Sequence, residues 1–123
     1  MIERIDHVVL TARDVSATLA FYKGLGFDVR QGDGRYELFA GDFKLNVHCY
    51  GSELSPHAQT VQPGSGDLCF AISGSLEDFR RQLEQQGVAI ELGPVSRTGA
   101  HGAMRSLYLR DPDGNLLEFC SYG

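Results

Sequence analysis

The sequence predicts an α+β fold in which two βαβββ modules form curved sheets around a cleft, with the helices outside. Two observations support this: each half contains one helical apolar stripe among several alternating strand patterns, and the order of these patterns is the same in both halves. The 123 residues suffice for one domain, and neither half carries enough apolar surface to fold convincingly alone. We therefore expect a single domain over residues 1–123, with modules at about 1–50 and 66–123 and a linker at about 51–65.

The first module begins with a predicted strand at about 3–11. Asp14 then has the chemistry of a helix N-cap, and Val15, Leu19 and Tyr22 follow at helical spacing. Two glycines, at 24 and 26, are expected to end this helix. Strands are predicted near 27–31, 35–40 and 43–50, separated by Gly-Asp and Asp-Gly turns.

The second module repeats this order. A strand at about 67–72 precedes a helix at about 76–86, which Ser75 caps and Gly87 ends. Strands are predicted near 88–92, 104–110 and 115–121. The glycine-rich stretch 93–105 is interpreted as a mobile loop over the cleft.

The bulk composition excludes several classes of protein. A net charge of −5 without a Lys/Arg run argues against a nucleic-acid partner. No apolar run reaches the roughly 18 residues of a membrane span, and no signal-peptide pattern opens the chain. Three cysteines without CxxC spacing favour a reduced, cytoplasmic protein.

Four side chains that can bind a metal fall at similar places in the two modules: His7, His48, Asp67 and Glu118. Strand alternation puts each of them opposite the large apolar residues of its own strand, so all four are expected to line the cleft. Imidazole and carboxylate ligands together suit a divalent ion such as Zn, Ni, Fe or Mn. A carboxylate that leaves the metal could act as the catalytic base, with Glu118 and Asp67 as candidates.

Further polar residues are expected to contact a small-molecule substrate. Two of them share a face with His48, and three lie in the stretch 93–105, where an arginine could bind a carboxylate or phosphate bidentately. These candidate substrate-binding residues are Asn46, Tyr50, Arg97, His101 and Arg105.

The chain resembles the vicinal oxygen chelate superfamily, also called the glyoxalase/bleomycin-resistance/dioxygenase superfamily. The resemblance is carried by Asp6-His7-Val8, by Phe21-Tyr22, and most specifically by residues 111–118, DPDGNLLE. It implies metal ligands on the first and last strands of each module, and a homodimer. Compared with bacterial glyoxalase I, His48 stands where Glu is usual and Asp67 where His is usual.

The resemblance leaves three functions open. The first is a metal-dependent glyoxalase-like enzyme of lyase or isomerase type, which chelates the neighbouring oxygens of a small substrate. The second is an extradiol-type dioxygenase with an iron site formed by His7, His48 and Glu118. The third is a non-enzymatic protein that binds a small molecule or an antibiotic such as bleomycin.

Overall fold

A computed structural model describes residues 1–123 and divides them into two compact units, residues 1–64 and 65–123. Each unit has the element order β-α-β-β-β, which confirms the predicted pair of modules. The first unit contains β1 (His7–Ala12), α1 (Val15–Leu25), β2 (Asp28–Gly32), β3 (Arg35–Ala40) and β4 (Phe43–Cys49). The second contains β5 (Asp67–Ala71), α2 (Leu76–Gln85), β6 (Leu92–Gly99), β7 (Gly102–Arg110) and β8 (Leu116–Ser121).

Each unit has one mixed four-stranded sheet with the same topology. The strand orders are β1-β4-β3-β2 and β5-β8-β7-β6. The first and last strands of a unit pair in parallel at one edge, and the remaining pairs are antiparallel. The first and last strands of the sequence pattern therefore become neighbours in each sheet.

The core of the first unit lies between α1 and one face of its sheet. Asp14 caps the helix by accepting a hydrogen bond from the Ala17 amide at 3.1 Å. Tyr22 is fully buried, and its ring contacts the Phe27 ring edge-on at 5.4 Å between centroids. On the sheet face that packs against the helix, alternate residues of the strands are buried: Leu10, Ala12, Leu38, Leu45 and Val47.

The core of the second unit is built in the same way against α2. The Phe119 ring lies 4.8 Å from the Phe79 ring of the helix and 5.5 Å from the Phe70 ring of β5. The other buried apolar residues of this core are Leu76, Leu83, Leu107, Leu109 and Leu117. Neither helix is both long and apolar enough to cross a membrane.

Two local predictions were wrong. Gly24 lies inside α1, which continues to Leu25 and ends, as predicted for the second glycine, at the C-cap Gly26, where φ is 112°. No strand occupies 88–91, and 93–105 is not a loop: β6 and β7 form a hairpin there with its turn at residues 100–101. The glycines and the proline of β6 have low strand propensity, so its sequence did not predict a strand. β6 forms because it pairs with β7.

A buried polar network fixes the turn before β8. The Asp111 carboxylate accepts hydrogen bonds from the Asn115 amide at 3.0 Å and from its side-chain Nδ2 at 2.7 Å. Asn115 Oδ1 in turn accepts a hydrogen bond at 2.7 Å from the amide of Gly66, the residue before β5. The network therefore joins the start of β5 to the start of β8 within the second unit.

We expect Asn115→Ala to destabilise the protein by about 2–4 kcal/mol, because it leaves the Gly66 amide and Asp111 Oδ2 without these partners inside the protein. Chemical denaturation measures this change. Asp42→Ala, at an exposed turn of the first unit, is the control and should change stability by less than about 0.5 kcal/mol. Equal losses in both variants would contradict a specific role for the network.

Candidate functional site

In each unit, the sheet face turned away from the helix carries the candidate polar residues, in the second unit beside the buried Met104 and Cys120, and we call it the polar face. It also carries every buried side-chain nitrogen or oxygen that lacks a hydrogen-bond partner: Asn46 Oδ1, His48 Nδ1, Ser106 Oγ and Glu118 Oε2. A buried polar atom without a partner costs roughly 1–3 kcal/mol, and such atoms are rare in native proteins. Two of them lie in each unit, all on this face, which makes it the candidate ligand-binding face.

The strand register corrects the predicted equivalence of His48 and Glu118. His7 pairs with Lys44, and Asp67 pairs with Leu116, so these rungs are equivalent in the two sheets. Two rungs further along the last strand lie Asn46 in the first unit and Glu118 in the second. His48 is two residues beyond Asn46, and its counterpart is Cys120.

The structure does not bring His7 and His48 together. His7 pairs with Lys44 and His48 with Thr11, so the two histidines are four rungs apart. At about 3.3 Å per residue this separates their backbones by about 13 Å along the strands. Two nitrogens on one ion lie at most about 4 Å apart, and strand side chains stand roughly perpendicular to the sheet. The two histidines of one chain are therefore poorly placed to share an ion.

His7 is oriented by its neighbour. Its Nδ1 lies 2.7 Å from Asp6 Oδ1, and this hydrogen bond is the main reason that the pKa of Asp6 is lowered. A carboxylate on one ring nitrogen is a common arrangement around metal-binding histidines, because it fixes the ring and leaves Nε2 available. No group of three or more His, Cys, Asp and Glu side chains in the chain is arranged to hold a metal.

Asp67 and Glu118 form the corresponding pair of the second unit. They are two rungs apart on β5 and β8, and Glu118 stands opposite Cys69 on one side and Tyr108 on the other. Burial, the Cys120 thiol and the Glu118 charge raise the pKa of the Cys69 thiol to about 12. Without a bound cation, Cys69 is therefore a neutral thiol at ordinary pH.

A cavity of about 190 Å3 opens on the polar face of the first unit. Asn46 and His48 line it from β4, and Arg35 and Glu37 line it from β3. Asn46 pairs directly with Glu37, and Arg35 is one residue beyond the Tyr36–Val47 pair, beside His48. Both unpartnered atoms of this unit thus belong to residues of one cavity.

The predicted substrate-binding residues are dispersed. Asn46 lines the cavity, whereas Tyr50 is exposed beyond the end of β4. Arg97 pairs with Met104 and Arg105 with Ser96, so the two arginines leave opposite faces of the β6–β7 hairpin. Arg97 Nε donates to the Tyr108 hydroxyl at 2.9 Å. His101 is exposed at the hairpin turn, where its amide donates to the Tyr122 hydroxyl at 3.2 Å.

Sequence reasoning missed Arg35, Glu37 and Ser106. The first two lie on β3, which carries no residue of the family motifs, and they reach the cavity only because β3 pairs with β4. Their alternation with Tyr36 and Leu38 was the available signal, since it places them on the face of Asn46. Ser106 reads from sequence as an ordinary strand residue.

Within the cavity wall, the charge of Glu37 is matched by Lys44. Their nitrogen and oxygen lie 2.6 Å apart, and this hydrogen bond lowers the pKa of Glu37. We expect Lys44→Met to raise the pKa of Glu37 toward the usual value of about 4.3. A carboxyl group whose pKa is lowered in the folded state adds stability at higher pH, and this stability is lost as the pH falls through the folded-state pKa. The variant lacks this contribution, so it should lose less stability on acidification.

NMR titration of the Glu37 carboxyl carbon measures this shift directly. Arg30→Met is the matched control, because Arg30 makes the smallest of the contributions to the pKa of Glu37. An unchanged pKa in Lys44→Met would contradict the pairing.

Comparison with known proteins gives a consistent result. The family model of the Glyoxalase/Bleomycin resistance protein/Dioxygenase superfamily matches residues 4–119. Glyoxalase domain-containing protein RDO1 of Mycosarcoma maydis is 46% identical over 122 residues, which span 98% of this chain and 69% of the relative. Virulence protein STM3117 of Salmonella typhimurium is 46% identical over 124 residues, 99% of this chain and 86% of the relative.

Solved structures share the fold. The crystal structure of the Salmonella protein superposes with a TM-score of 0.97 at 45% identity, covering 100% of this chain and 99% of that one. A lactoylglutathione lyase from Agrobacterium tumefaciens gives a TM-score of 0.75 at 21% identity, over 99% and 96% of the two chains. At that identity, the second likeness shows the fold alone.

Proposed function

Because the chain belongs to the Glyoxalase/Bleomycin resistance protein/Dioxygenase superfamily, we propose that it is a metal-dependent, glyoxalase-like enzyme of lyase or isomerase type. The observation that carries this proposal is the burial of the Glu118 carboxylate without a hydrogen-bond partner for one of its oxygens. Its Oε2 is buried without a hydrogen-bond partner on the polar face of the second sheet, two rungs from Asp67. A buried carboxylate needs a cation or a proton donor there.

The donor types, imidazole and carboxylate, suit a divalent ion, although no three of these side chains meet within one chain. His7 has its ring held by Asp6, and Asp67 and Glu118 offer carboxylate oxygens from paired strands. We propose these three residues as metal ligands. The fourth ligand is either Asn46 or His48. The register favours Asn46, the counterpart of Glu118, and the separation of the two histidines disfavours His48. Such a site leaves coordination positions open, as a catalytic metal requires.

The divalent ion, Zn, Ni, Fe or Mn, would supply positive charge to stabilise the negative charge that develops on two neighbouring substrate oxygens. Glu118 is then the proposed base. It accepts a proton from the carbon beside the carbonyl and returns it to the adjacent carbon, so that the substrate is isomerised with no net change in protons. Asp67 is the second candidate for this role.

We further propose a cytoplasmic homodimer. No group of three metal-binding side chains exists within the chain, and each unit offers a pair, so a second copy would complete the set. All three cysteines are free thiols, which agrees with a reduced compartment. A monomer that holds metal at full occupancy would contradict the shared site.

The test is metal-dependent turnover of the methylglyoxal–glutathione hemithioacetal. We expect activity after loading with one of Zn, Ni, Fe or Mn, loss of activity with a chelator, and recovery on reloading. Absence of turnover with every divalent metal would exclude the glyoxalase version. The extradiol alternative is weaker, because it needs His7 and His48 on one iron, and it would show itself as oxygen uptake with catechols.

A further inference from the structure

A second cavity, of about 520 Å3, lies within the second unit where α2 begins. Leu76 and Glu77 line it from the helix, and Arg105 lines it from β7. Arg105 shares its strand face with the core residue Leu107, whereas Glu118 pairs with the opposite face. We propose that this cavity binds the phosphate group of a small organic phosphate, with Arg105 as its main contact. The site goes beyond the proposed function and is separate from the proposed metal site.

The positive charge of the cavity comes from Arg105. Its guanidinium makes no hydrogen bond or ion pair within the chain. The acidic side chain that lines the same cavity, Glu77, is already bonded by Arg80, at nitrogen–oxygen distances of 3.0 and 2.9 Å. Arg97 also lines the cavity, but its Nε donates to the Tyr108 hydroxyl. Arg105 therefore supplies an unmatched positive charge, which favours an anionic ligand.

Two serine hydroxyls flank Arg105. Ser96 of β6 and Ser121 of β8 are its direct partners in the two neighbouring strands, so the three side chains form one rung on the same face. Directly opposed residues of antiparallel strands have Cβ atoms about 4.5–5.5 Å apart. Both serines line the cavity, and neither hydroxyl has a partner within the chain. The rung therefore presents the N–H donors of a guanidinium between two O–H donors.

The kind of anion follows from this set of donors. A carboxylate has two oxygens, and the fork of a guanidinium engages both of them. A phosphate monoester presents three acceptor oxygens, so the guanidinium takes two and the third remains for a serine hydroxyl. A phosphate group therefore uses more of the donors on this rung than a carboxylate does.

The volume of the cavity leaves room for the rest of the ligand. A dry cavity of about 150 Å3 accommodates benzene, and this cavity is larger, at about 520 Å3. Leu76 and Ala103 add apolar side chains to its wall. We therefore expect a small organic group, such as one aromatic ring, to lie beside the phosphate.

Titration of the protein with phenyl phosphate tests the site, with NMR signals followed at Arg105 Nε and at the amides of Ser96 and Ser121. A chelator is present throughout, so that no bound metal attracts the phosphate. We expect phenyl phosphate to bind at least about tenfold more tightly than benzoate, because the third oxygen gains a charge-assisted hydrogen bond. It should also bind more tightly than inorganic phosphate, which buries no apolar surface. Sodium chloride at equal ionic strength is the control for non-specific anion effects.

Arg105→Gln should weaken the binding of phenyl phosphate by about ten- to one-hundred-fold, the usual loss for a hydrogen-bonded charge. Arg105 is exposed, so its replacement leaves the core intact. Arg30→Gln removes the same charge from an exposed strand of the first unit and should bind as the parent protein does. Ser96→Ala should weaken binding by about tenfold. Its matched control is Thr98→Ala, which removes a hydroxyl from the same strand but outside the cavity.

Benzoate that binds as tightly as phenyl phosphate, or equal effects of the two arginine variants, would overturn the proposal. Equal affinity for inorganic phosphate would overturn the assignment to an organic ester, and shifts confined to residues outside the cavity would overturn the site. The titration is made without metal and on the face opposite Glu118. These outcomes are therefore independent of whether the protein turns over a hemithioacetal.

Discussion

Glu118→Gln is expected to abolish turnover and to lower metal affinity by about 100-fold or more. Even residues that only orient a metal ligand commonly change affinity by about 10–100-fold, so loss of a ligand should cost at least as much. The amide keeps the volume of the side chain but removes the charge that Oε2 carries, unpartnered, on the polar face. Elemental analysis of the purified protein, with thermal unfolding to confirm folding, measures the effect.

The same measurement decides the remaining ligands. His7→Ala and Asp67→Ala should lose metal, whereas His48→Ala should retain it, because His48 lies four rungs from His7 along the paired strands. Asn46→Ala should weaken metal binding if Asn46 takes the place equivalent to Glu118. His57→Ala is the control: this exposed histidine hydrogen-bonds its neighbour's carbonyl at 2.9 Å and lies on neither sheet. Metal loss in His48→Ala with full retention in His7→Ala would contradict the assignment.

Gly93→Ala should destabilise the protein by about 3 kcal/mol or more. Gly93 has φ of 107°, a conformation that costs a residue with a Cβ about 1–3 kcal/mol. A Cβ there would also stand 2.5 Å from the Ser106 carbonyl oxygen and 2.8 Å from the Leu107 Cα. Both neighbours are backbone atoms of β7, so β6 must move away from its partner strand to relieve the overlap.

Denaturant unfolding of Gly93→Ala against Gly32→Ala tests this prediction. Gly32 also lies in a strand, but it has no positive φ, and a Cβ there meets nothing within 4 Å. The control variant should therefore stay within about 0.5 kcal/mol of the parent protein. A Gly93→Ala protein as stable as Gly32→Ala would show that the hairpin adapts, and the close approach of β6 and β7 would then carry no cost.

The predicted assignment of faces agrees with the structure because strand alternation is local. Asn46 and His48 lie on one face of β4, and Leu45 and Val47 lie on the other. Leu45 and Val47 are buried on the face that packs against α1. The helix N-caps were equally local: Asp14 and Ser75 each accept from the amide three residues on. Such features depend on neighbouring residues alone, so the sequence contains them in full.

Alignment of the two repeats was harder, and it failed at His48. A motif can be slid by two residues along a strand without changing which face it occupies, because the side-chain period is two. Alternation therefore could not distinguish Asn46 from His48 as the counterpart of Glu118. Only the pairing of β1 with β4 and of β5 with β8 fixed that choice.

By itself, the sequence determined the two βαβββ modules, the positions of their helices and the polar face on which the ligand-type residues lie, since all of these follow from periodicity and capping. The tertiary structure decided what depends on contacts between distant residues. It supplied the rung that each side chain occupies, the β6–β7 hairpin that local propensity concealed, and the cavity where Arg35 of β3 meets Asn46 and His48 of β4. Strand pairing joins residues far apart in the chain, and no local pattern records which rung they share.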